Sequence, residues 1–249
     1  MHFFNPVPLM KLVEIIKGKK TNSSTLNKAV EFVRQISKVP IIVNDSSGFY
    51  TTRVFERYTA EGMTLLAEGN SAERIEAAGK KAGFPIGPLA VIDEISIELV
   101  EHIRGEMLNE LKYEGKELSS DSWGQVIDLM IRKVKRTGRS GGGGFYEYPK
   151  NNKKFLWPDL KKYFPLSENQ LSEEEMIDRF YFSQVIESIR CYEENVITSV
   201  KDANVGSVLG WGFPSFKGGT LQFANDYGLI NFRNRSQELA DKYGERFSP

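Results

Sequence analysis

Two residues near the N-terminus, His2 and Glu14, are of the types that could share a proton-transfer site. Glu14 lies inside the apolar run at 12–16, which predicts a strand buried on both faces. A buried carboxylate without a partner is costly, so a cation or hydrogen-bond donor is expected beside it. His2 precedes a turn-forming segment at 5–8, and this leaves enough chain for the imidazole to fold back beside the strand. The spacing also fits a solvated Glu14 at a strand edge and a frayed His2.

The remaining reactive side chains are few. The second histidine, His102, lies among charged residues on a predicted helix, which predicts a solvated side chain. Cys191 is the only cysteine, so an intrachain disulfide is impossible, and we interpret it as a buried, unreactive thiol. We predict no metal site.

The elements that must position His2 and Glu14 form one strand–helix–strand unit. Short apolar, β-branched runs occupy 11–17 and 39–45, and residues 24–37 between them carry apolar side chains at helical spacing. Such a unit normally belongs to a larger parallel sheet covered on both faces. Because only ten residues precede it, the sequence predicts that the chain starts inside a domain.

From Phe49 onward the periodicity is helical. Four helices are predicted before residue 137: one ending near residue 68, one over about 70–83, one from Pro88 toward residue 111, and one over 121–136. A glycine run at 141–144 then closes on Phe145 and Tyr146, and we interpret it as a hinge or loop. The polar, Lys-rich stretch up to about residue 175 is the predicted domain boundary.

The helical pattern repeats after that stretch. The segments 53–93 and 179–226 each open on an arginine in a long helix, continue into a shorter helix, and reach a Gly-Phe-Pro turn, at 83–85 and at 212–214. The shared turn at a matching distance from the arginine favours duplication over chance resemblance. Two copies of one helical module are therefore predicted.

Composition limits the classes of partner. Lys plus Arg and Asp plus Glu both total 33, so no net charge favours nucleic acid or an anionic membrane. No apolar run approaches the roughly 20 residues that a membrane span needs, and the N-terminus lacks a secretion signal. We therefore predict a soluble, cytoplasmic, globular protein without a membrane span that does not bind nucleic acid.

The segment 2–14, His-Phe-Phe-Asn-Pro-Val-Pro-Leu-Met-Lys-Leu-Val-Glu, closely resembles the catalytic segment of the 3-hydroxyacyl-CoA dehydrogenase family. The resemblance continues through 45–49, through the Gly-Phe-Pro turns and the Gly-Phe-Tyr closure at 144–146, and through Lys-Gly-Gly at 217–219, so it covers essentially the whole chain. The second repeat resembles the bifunctional hydratase–dehydrogenase subunits of fatty-acid oxidation.

The resemblance implies a mainly α fold. Residues 1–45 would be the C-terminal β-α-β remnant of a Rossmann-type NAD domain. Residues 46–150 would form a first helical module, and 151–249 a linker and a second module, both like the C-terminal domain of 6-phosphogluconate dehydrogenase.

The resemblance also implies roles for individual residues. His2 would be the general base that accepts the hydroxyl proton while hydride moves to NAD, and Glu14 would orient it and stabilise the imidazolium. Asn5 would contact the cofactor near its nicotinamide end. From the sequence alone, a cap on the turn before Pro6 is an equally good interpretation of Asn5.

The chain departs from the family pattern at several places. Thr52 stands where many members carry a substrate-binding Asn, and a threonine has one donor and a shorter reach. Ser140, beside Arg139, stands where a Lys near the cofactor is common. The Gly-x-Gly-x-x-Gly fingerprint and its acidic ribose ligand are absent, and the family's substrate-binding Ser would lie upstream of Met1. We therefore expect a truncated chain that binds NAD too weakly to turn over alone.

The partners that the resemblance implies are an acyl-CoA substrate, an NAD domain and a hydratase domain of the same polypeptide, a thiolase subunit and a second copy in a homodimer. An alternative is that the duplicated helices form an assembly or dimerisation module of a multienzyme complex. A related β-hydroxyacid dehydrogenase is disfavoured, because that group uses a helix-borne Lys and this chain has His-Phe-Phe-Asn-Pro.

Overall fold

The computed structural model of the chain describes residues 1–113, 115 and 121–249. These residues form two compact units, one of Met1–Arg57 with Tyr181–Pro249 and the other of Tyr58–Phe180. Helices dominate both units and strands are few and short, which confirms the predicted mainly α fold. The predicted domain division at residues 45 and 150 stays a prediction.

The first unit begins with a three-stranded sheet in the order β1 (His2–Phe3), β2 (Leu12–Lys17), β3 (Val39–Asn44). β2 and β3 are parallel and joined through α1 (Ser23–Gln35), which confirms the predicted strand–helix–strand unit. β1 was not predicted. It pairs antiparallel with β2, in a register that sets His2 opposite Glu14.

β2 is buried on both faces because two different layers cover it. Val13 and Ile15 pack with Val33 of α1. On the opposite face Leu12 packs with Tyr50 and other buried residues of this unit. Successive side chains of a strand alternate between faces, so Glu14 shares the Leu12 face and is carried into an apolar layer.

The outer edge of β3 is paired by the segment that follows α8 (Glu173–Glu193). Val43 and Ile197 form an isolated antiparallel bridge. The neighbouring Asn44 donates its backbone N–H to the Val196 carbonyl at 2.8 Å and its side-chain amide to the Asn195 carbonyl at 2.7 Å. These bonds satisfy backbone groups that an edge strand would otherwise expose.

Two sets of four helices follow the same order of long, short, short and long. The first set is α2 (Thr51–Ala67), α3 (Ala72–Lys81), α4 (Pro88–Ile95) and α5 (Ile97–Tyr113). The second is α8, α9 (Val200–Trp211), α10 (Thr220–Tyr227) and α11 (Leu229–Tyr243). In both sets the Gly-Phe-Pro turn joins the second helix to the third, as the predicted duplication requires.

The two sets also share a capping contact. In the first set, Glu76 on α3 accepts hydrogen bonds from the Leu89 and Ala90 amides of α4, at 2.8 and 3.3 Å. In the second, Asn204 on α9 accepts from the Leu221 and Gln222 amides of α10, at 3.0 Å each. A side-chain oxygen from the second helix thus satisfies the free N–H groups of the third helix in each copy.

One prediction about the helices was wrong in detail. The single helix expected from Pro88 is broken, because Ser96 adopts a φ of 82° between α4 and α5. The polar stretch after residue 146 contains a two-stranded hairpin, β4 (Tyr146–Glu147) with β5 (Phe155–Leu156), and the short helix α7 (Leu160–Tyr163). The fourth predicted helix is α6 (Ser122–Asp128), which continues as a π-helix over Leu129–Val134.

Candidate active site

His2 and Glu14 form the hydrogen-bonded pair that the sequence suggested. The turn between β1 and β2 returns the chain on itself, and the His2 Nδ1 lies 2.8 Å from the Glu14 Oε2. Glu14 is fully buried, while the His2 side chain is 30% exposed. The alternative of a solvated carboxylate and a frayed histidine therefore does not hold.

Four donors surround the Glu14 carboxylate. Oε2 accepts from His2 and from the Thr51 hydroxyl, both at 2.8 Å. Oε1 accepts from the backbone N–H groups of Tyr50 and Thr51, both at 3.1 Å. Those amides stand at the N-terminus of α2, where N–H groups lack helical partners and the helix dipole favours negative charge. The site suits a carboxylate, which accepts and does not donate.

This arrangement assigns different roles to the two ring nitrogens of His2. Because Nδ1 donates to Glu14, the neutral ring carries its proton there and Nε2 is left as the acceptor. Nε2 makes no hydrogen bond to any residue that the structure describes. The ring lies against Phe4 and Phe49, at centroid distances of 4.5 and 6.0 Å. The pair can therefore take up a proton at Nε2 and stabilise the resulting charge through Glu14.

The turn into α2 aims its amides at Glu14. Gly48 and Phe49 both adopt left-handed backbone, with φ of 67° and 49°. A Cβ at Gly48 would lie 3.3 Å from the backbone nitrogen of Arg53, so this position combines a left-handed φ with close approach. Two left-handed residues in succession reverse the chain, so that Tyr50 and Thr51 start the helix against the sheet.

Tyr50 anchors the start of α2 from the side opposite Glu14. Its hydroxyl donates to the Ala203 carbonyl at 3.0 Å and bonds the hydroxyls of Thr220 and Ser188, at 3.0 and 3.3 Å. Burial raises the pKa of Tyr50 far above its ordinary value, which keeps the phenol a neutral donor. Tyr50 is therefore held at its backbone N–H, which donates to Glu14, and at its hydroxyl, which bonds the second set of helices.

The structure gives Thr52 and Asn5 no hydrogen bond to a described residue. Thr52 is half-buried on the first turn of α2, and Asn5 is exposed in the turn before Pro6. The alternative interpretation of Asn5, a side-chain cap on the turn before Pro6, therefore has no hydrogen bond to support it. Thr51, the neighbour of Thr52, also binds Glu14, and it was not predicted from the sequence. The available signal was the position of Thr51 at the first turn of a helix that follows a buried acidic strand.

The glycine-rich closure lies in the second unit and is held by Asp93. The Asp93 carboxylate accepts from the N–H groups of Phe145 and Tyr146, at 2.9 and 2.8 Å. Burial raises the pKa of Asp93 to about 6. A Cβ on Gly144 would lie 1.9 Å from the Asp93 Oδ1, so only glycine allows this approach.

The two residues beside that run have separate surroundings. The Arg139 guanidinium pairs with Glu94 at 2.8 Å, and Ser140 is exposed.

His102, the other histidine, is 72% exposed and 3.4 Å from Glu106, as expected of a solvated side chain. Cys191 is buried, and burial raises the pKa of its thiol to about 12, in agreement with an unreactive thiol. Across the described ranges, no helix is both long enough and apolar enough to cross a membrane.

Comparison with known proteins assigns the class to which this site belongs. A family model described as the NAD binding domain of 3-hydroxyacyl-CoA dehydrogenase matches residues 1–46, and one described as the C-terminal domain of the same enzyme matches 48–148. The chain therefore belongs to the 3-hydroxyacyl-CoA dehydrogenase family.

Curated relatives match the whole chain. It is 33% identical over 252 residues to the fatty acid oxidation complex subunit alpha of Vibrio cholerae, and 32% identical to that of Vibrio parahaemolyticus. Each alignment covers 100% of this chain and 34% of the relative. The chain thus spans about a third of the length of these relatives.

Solved structures share the fold. The dehydrogenase part of multifunctional enzyme 1 from C. elegans superposes with a TM-score of 0.69 at 26% identity, covering 99% of this chain and 56% of that one. The 3-hydroxybutyryl-CoA dehydrogenase of Escherichia coli K12 superposes with a TM-score of 0.78 over 100% of this chain and 67% of its own, at 21% identity.

Proposed function

We propose that this chain supplies the proton-accepting part of an NAD-dependent enzyme that oxidises L-3-hydroxyacyl-CoA to 3-oxoacyl-CoA in fatty-acid β-oxidation. The observation that carries the proposal is the 2.8 Å hydrogen bond from the His2 Nδ1 to the buried Glu14 carboxylate. The family models and the curated relatives support the substrate class.

In this proposal His2 is the general base. Its Nε2 takes the hydroxyl proton of the substrate, and Glu14 holds the ring in the required tautomer and stabilises the imidazolium. Four donors keep Glu14 an acceptor, so the proton stays on His2 rather than passing to the carboxylate. In the reverse direction, the imidazolium returns the proton to the 3-oxo oxygen.

The chemistry that NAD would supply when bound is acceptance of the hydride from the substrate carbon. The residues present fit only the reactive end of this cofactor, where Asn5 is exposed in the turn that follows β1 and could contact the nicotinamide. The chain contains no glycine fingerprint for the pyrophosphate. We therefore place the pyrophosphate and ribose contacts on an NAD domain elsewhere in the polypeptide, and we expect this chain alone to be inactive.

Thr52 is the proposed substrate contact. It lies on the first turn of the helix whose first residues hold Glu14, and its hydroxyl makes no hydrogen bond to a described residue. A hydroxyl without another partner is suited to donate to a thioester or 3-oxo oxygen. Restoring the longer amide with Thr52→Asn should lower KM, whereas Thr52→Val should raise it.

The larger assembly is also a proposal. The relatives are about three times as long as this chain, which leaves room for a cofactor domain and a hydratase domain, and their name describes a subunit of a complex. A thiolase subunit and a cytoplasmic location are consistent with that name.

The decisive experiment uses the full-length polypeptide with His2→Gln, measuring NADH formed from 3-hydroxybutyryl-CoA. Loss of a general base should lower kcat by about 10²–10⁴-fold, with little change in unfolding temperature. His102→Gln is the matched control, because that histidine is solvated and outside the site. Undiminished kcat in the His2 variant would show that another group accepts the proton.

Exposed apolar side chains favour a second role in assembly. In the C-terminal helices, Phe216, Leu229 and Ile230 are 70%, 68% and 77% exposed. Large exposed apolar residues in one segment are typical of interaction surfaces. We propose that they contribute to a homodimer. Static light scattering should show a concentration-dependent mass that Leu229→Ser with Ile230→Ser abolishes, and a concentration-independent monomer mass would rule the dimer out.

A further inference from the structure

Thr51 and His2 donate to the same oxygen atom of Glu14. Both the Thr51 Oγ1 and the His2 Nδ1 lie 2.8 Å from the Glu14 Oε2. The Thr51 backbone N–H binds the other carboxylate oxygen at 3.1 Å, so a single residue contacts both oxygens of Glu14. Nothing in the family comparison assigns a role to this side chain.

The Thr51 hydroxyl is fixed in its orientation. Thr51 is 1% exposed, and its methyl group faces the α9 backbone at Gly210, where an added Cβ would come within 3.5 Å of Thr51 Cγ2. With the methyl group packed on that side, the hydroxyl remains directed at Glu14. A β-branched side chain held at both ends has little rotamer freedom.

The hydrogen bond from Thr51 to Oε2 weakens the hydrogen bond that His2 makes to the same oxygen. The Thr51 hydroxyl draws electron density from Oε2, so Oε2 stabilises a positive imidazolium less than an oxygen bonded to His2 alone would. We propose that Thr51 is a positioning residue that fixes the Glu14 carboxylate and limits how strongly Glu14 favours the protonated form of His2. The catalytic meaning of this control rests on the function proposed above, but the coupling between Thr51 and His2 does not.

Other charges near the pair are bound to other partners. On α9, Asp202 accepts from the Ile42 N–H at 3.4 Å. On α2, Arg53 is paired with Glu187 and Glu194. Beside the turn between β1 and β2, Lys38 donates to two backbone carbonyls, and the phenol of Tyr50 is neutral. Thr51 is therefore the group whose removal changes the environment of Oε2 without changing any charge.

The test follows the titration of His2 by NMR in the 249-residue chain. Only two histidines are present, so the Cε1–H signals of histidine-labelled protein are assigned with His102→Gln. Thr51→Val removes the hydroxyl and keeps the shape. We expect the titration midpoint of His2 to rise by about 0.5–1 unit, the size of one lost hydrogen bond. Thr51→Ser keeps the hydroxyl and should titrate like the wild type.

Two outcomes overturn the proposal: an unchanged His2 midpoint in Thr51→Val, or an equal shift in Thr51→Ser. If Thr51→Val does not fold, Thr51→Ala takes its place with the same expectation. In the full-length polypeptide, the acidic limb of the kcat/KM profile should move by the same amount and in the same direction. A shifted NMR midpoint with an unmoved profile supports the coupling and counts against His2 as the base, so the two proposals fail separately.

Discussion

Arg53 and Arg179 make the same contacts in the two copies of the helical module: each guanidinium bridges two glutamates that lie seven residues apart. Arg53 on α2 binds Glu187 and Glu194, at 2.5 Å each. Arg179 on α8 binds Glu61 and Glu68, at 2.5 and 2.6 Å. The long helix of each copy thus supplies the arginine for the other's glutamates, an exchange that independent helices would not acquire by chance.

The two arginines differ in burial, and this predicts different costs of removal. Arg179 is fully buried beside Glu61, so Arg179→Met leaves a buried carboxylate without its cation. We expect the free energy of unfolding to fall by about 3–5 kcal/mol. Arg53 is 19% exposed and one of its glutamates is solvated, so Arg53→Met should cost less. Urea unfolding at pH 7 measures both.

The double variant Arg179→Met with Glu61→Gln is the matched control. Neutralising Glu61 should recover part of the lost stability, because the penalty comes from a buried charge that has lost its arginine. No recovery would mean that the loss comes from packing of the arginine side chain instead.

Gly144→Ala should destabilise the second unit. The added Cβ would lie 1.9 Å from the Asp93 Oδ1, so the carboxylate or the closure must move and the bonds to Phe145 and Tyr146 weaken. We expect a loss of about 2–4 kcal/mol, measured by thermal unfolding. Gly105→Ala is the control, since a Cβ there meets nothing within 4 Å on helix α5 and should stabilise it by up to about 1 kcal/mol. Equal effects of the two substitutions would contradict this account of Gly144.

Stability should rise as the pH falls from 7.5 to 5.5. Burial raises the pKa of Glu56 to about 7 and that of Asp93 to about 6, above their unfolded values, and also raises the pKa of Glu76. The folded state therefore binds more protons than the unfolded state in this window, and protonation relieves the cost of burying charge. Paired arginines lower the pKa of Glu187, despite its burial, and that of Glu194. These two carboxylates therefore stabilise the fold throughout this window, and their contribution is lost only at lower pH.

We expect a gain of about 1–3 kcal/mol in the free energy of unfolding between pH 7.5 and 5.5, measured with urea. Glu56→Gln removes one titrating group and should reduce the gain. A stability that is flat or falls toward pH 5.5 would show that ionised carboxylates, rather than protonated ones, stabilise the folded chain.

Cys191 should report unfolding. The thiol is buried, and its pKa of about 12 leaves almost no thiolate at neutral pH. A thiol reagent should therefore react slowly with the native protein and fast in urea, with one equivalent consumed. Rapid labelling of the native chain would mean that the core around Cys191 opens readily.

The sequence predicts the elements whose pattern is strong and local. The β2–α1–β3 unit and the long helices follow from apolar periodicity, and the duplication follows from two Gly-Phe-Pro turns. β1 does not, because two residues carry no period of their own and become a strand only by pairing with β2. The helix break at Ser96 is not predicted either, because serine rarely adopts the left-handed φ that it has here.

In the candidate site, too, the sequence predicts one contact and misses another. The His2–Glu14 pair is predictable because a carboxylate inside an apolar strand demands a partner, and few residues could reach it. The Thr51 contact is not, because it depends on how two left-handed residues at 48 and 49 rotate the start of α2. A one-residue difference in that rotation would have presented Thr52 instead, and the position of both threonines on the first turn of α2 does not decide between them.

The pairing of Val43 with Ile197 also bears on solubility. β3 is a short, uncharged, β-branched strand, the composition that favours edge-to-edge association between molecules. Residues 195–197 occupy that edge from within the same chain. This segment of the second helical copy therefore protects the edge of β3 from pairing with another molecule. Proteolysis between α8 and α9 should expose that edge and cause the protein to aggregate.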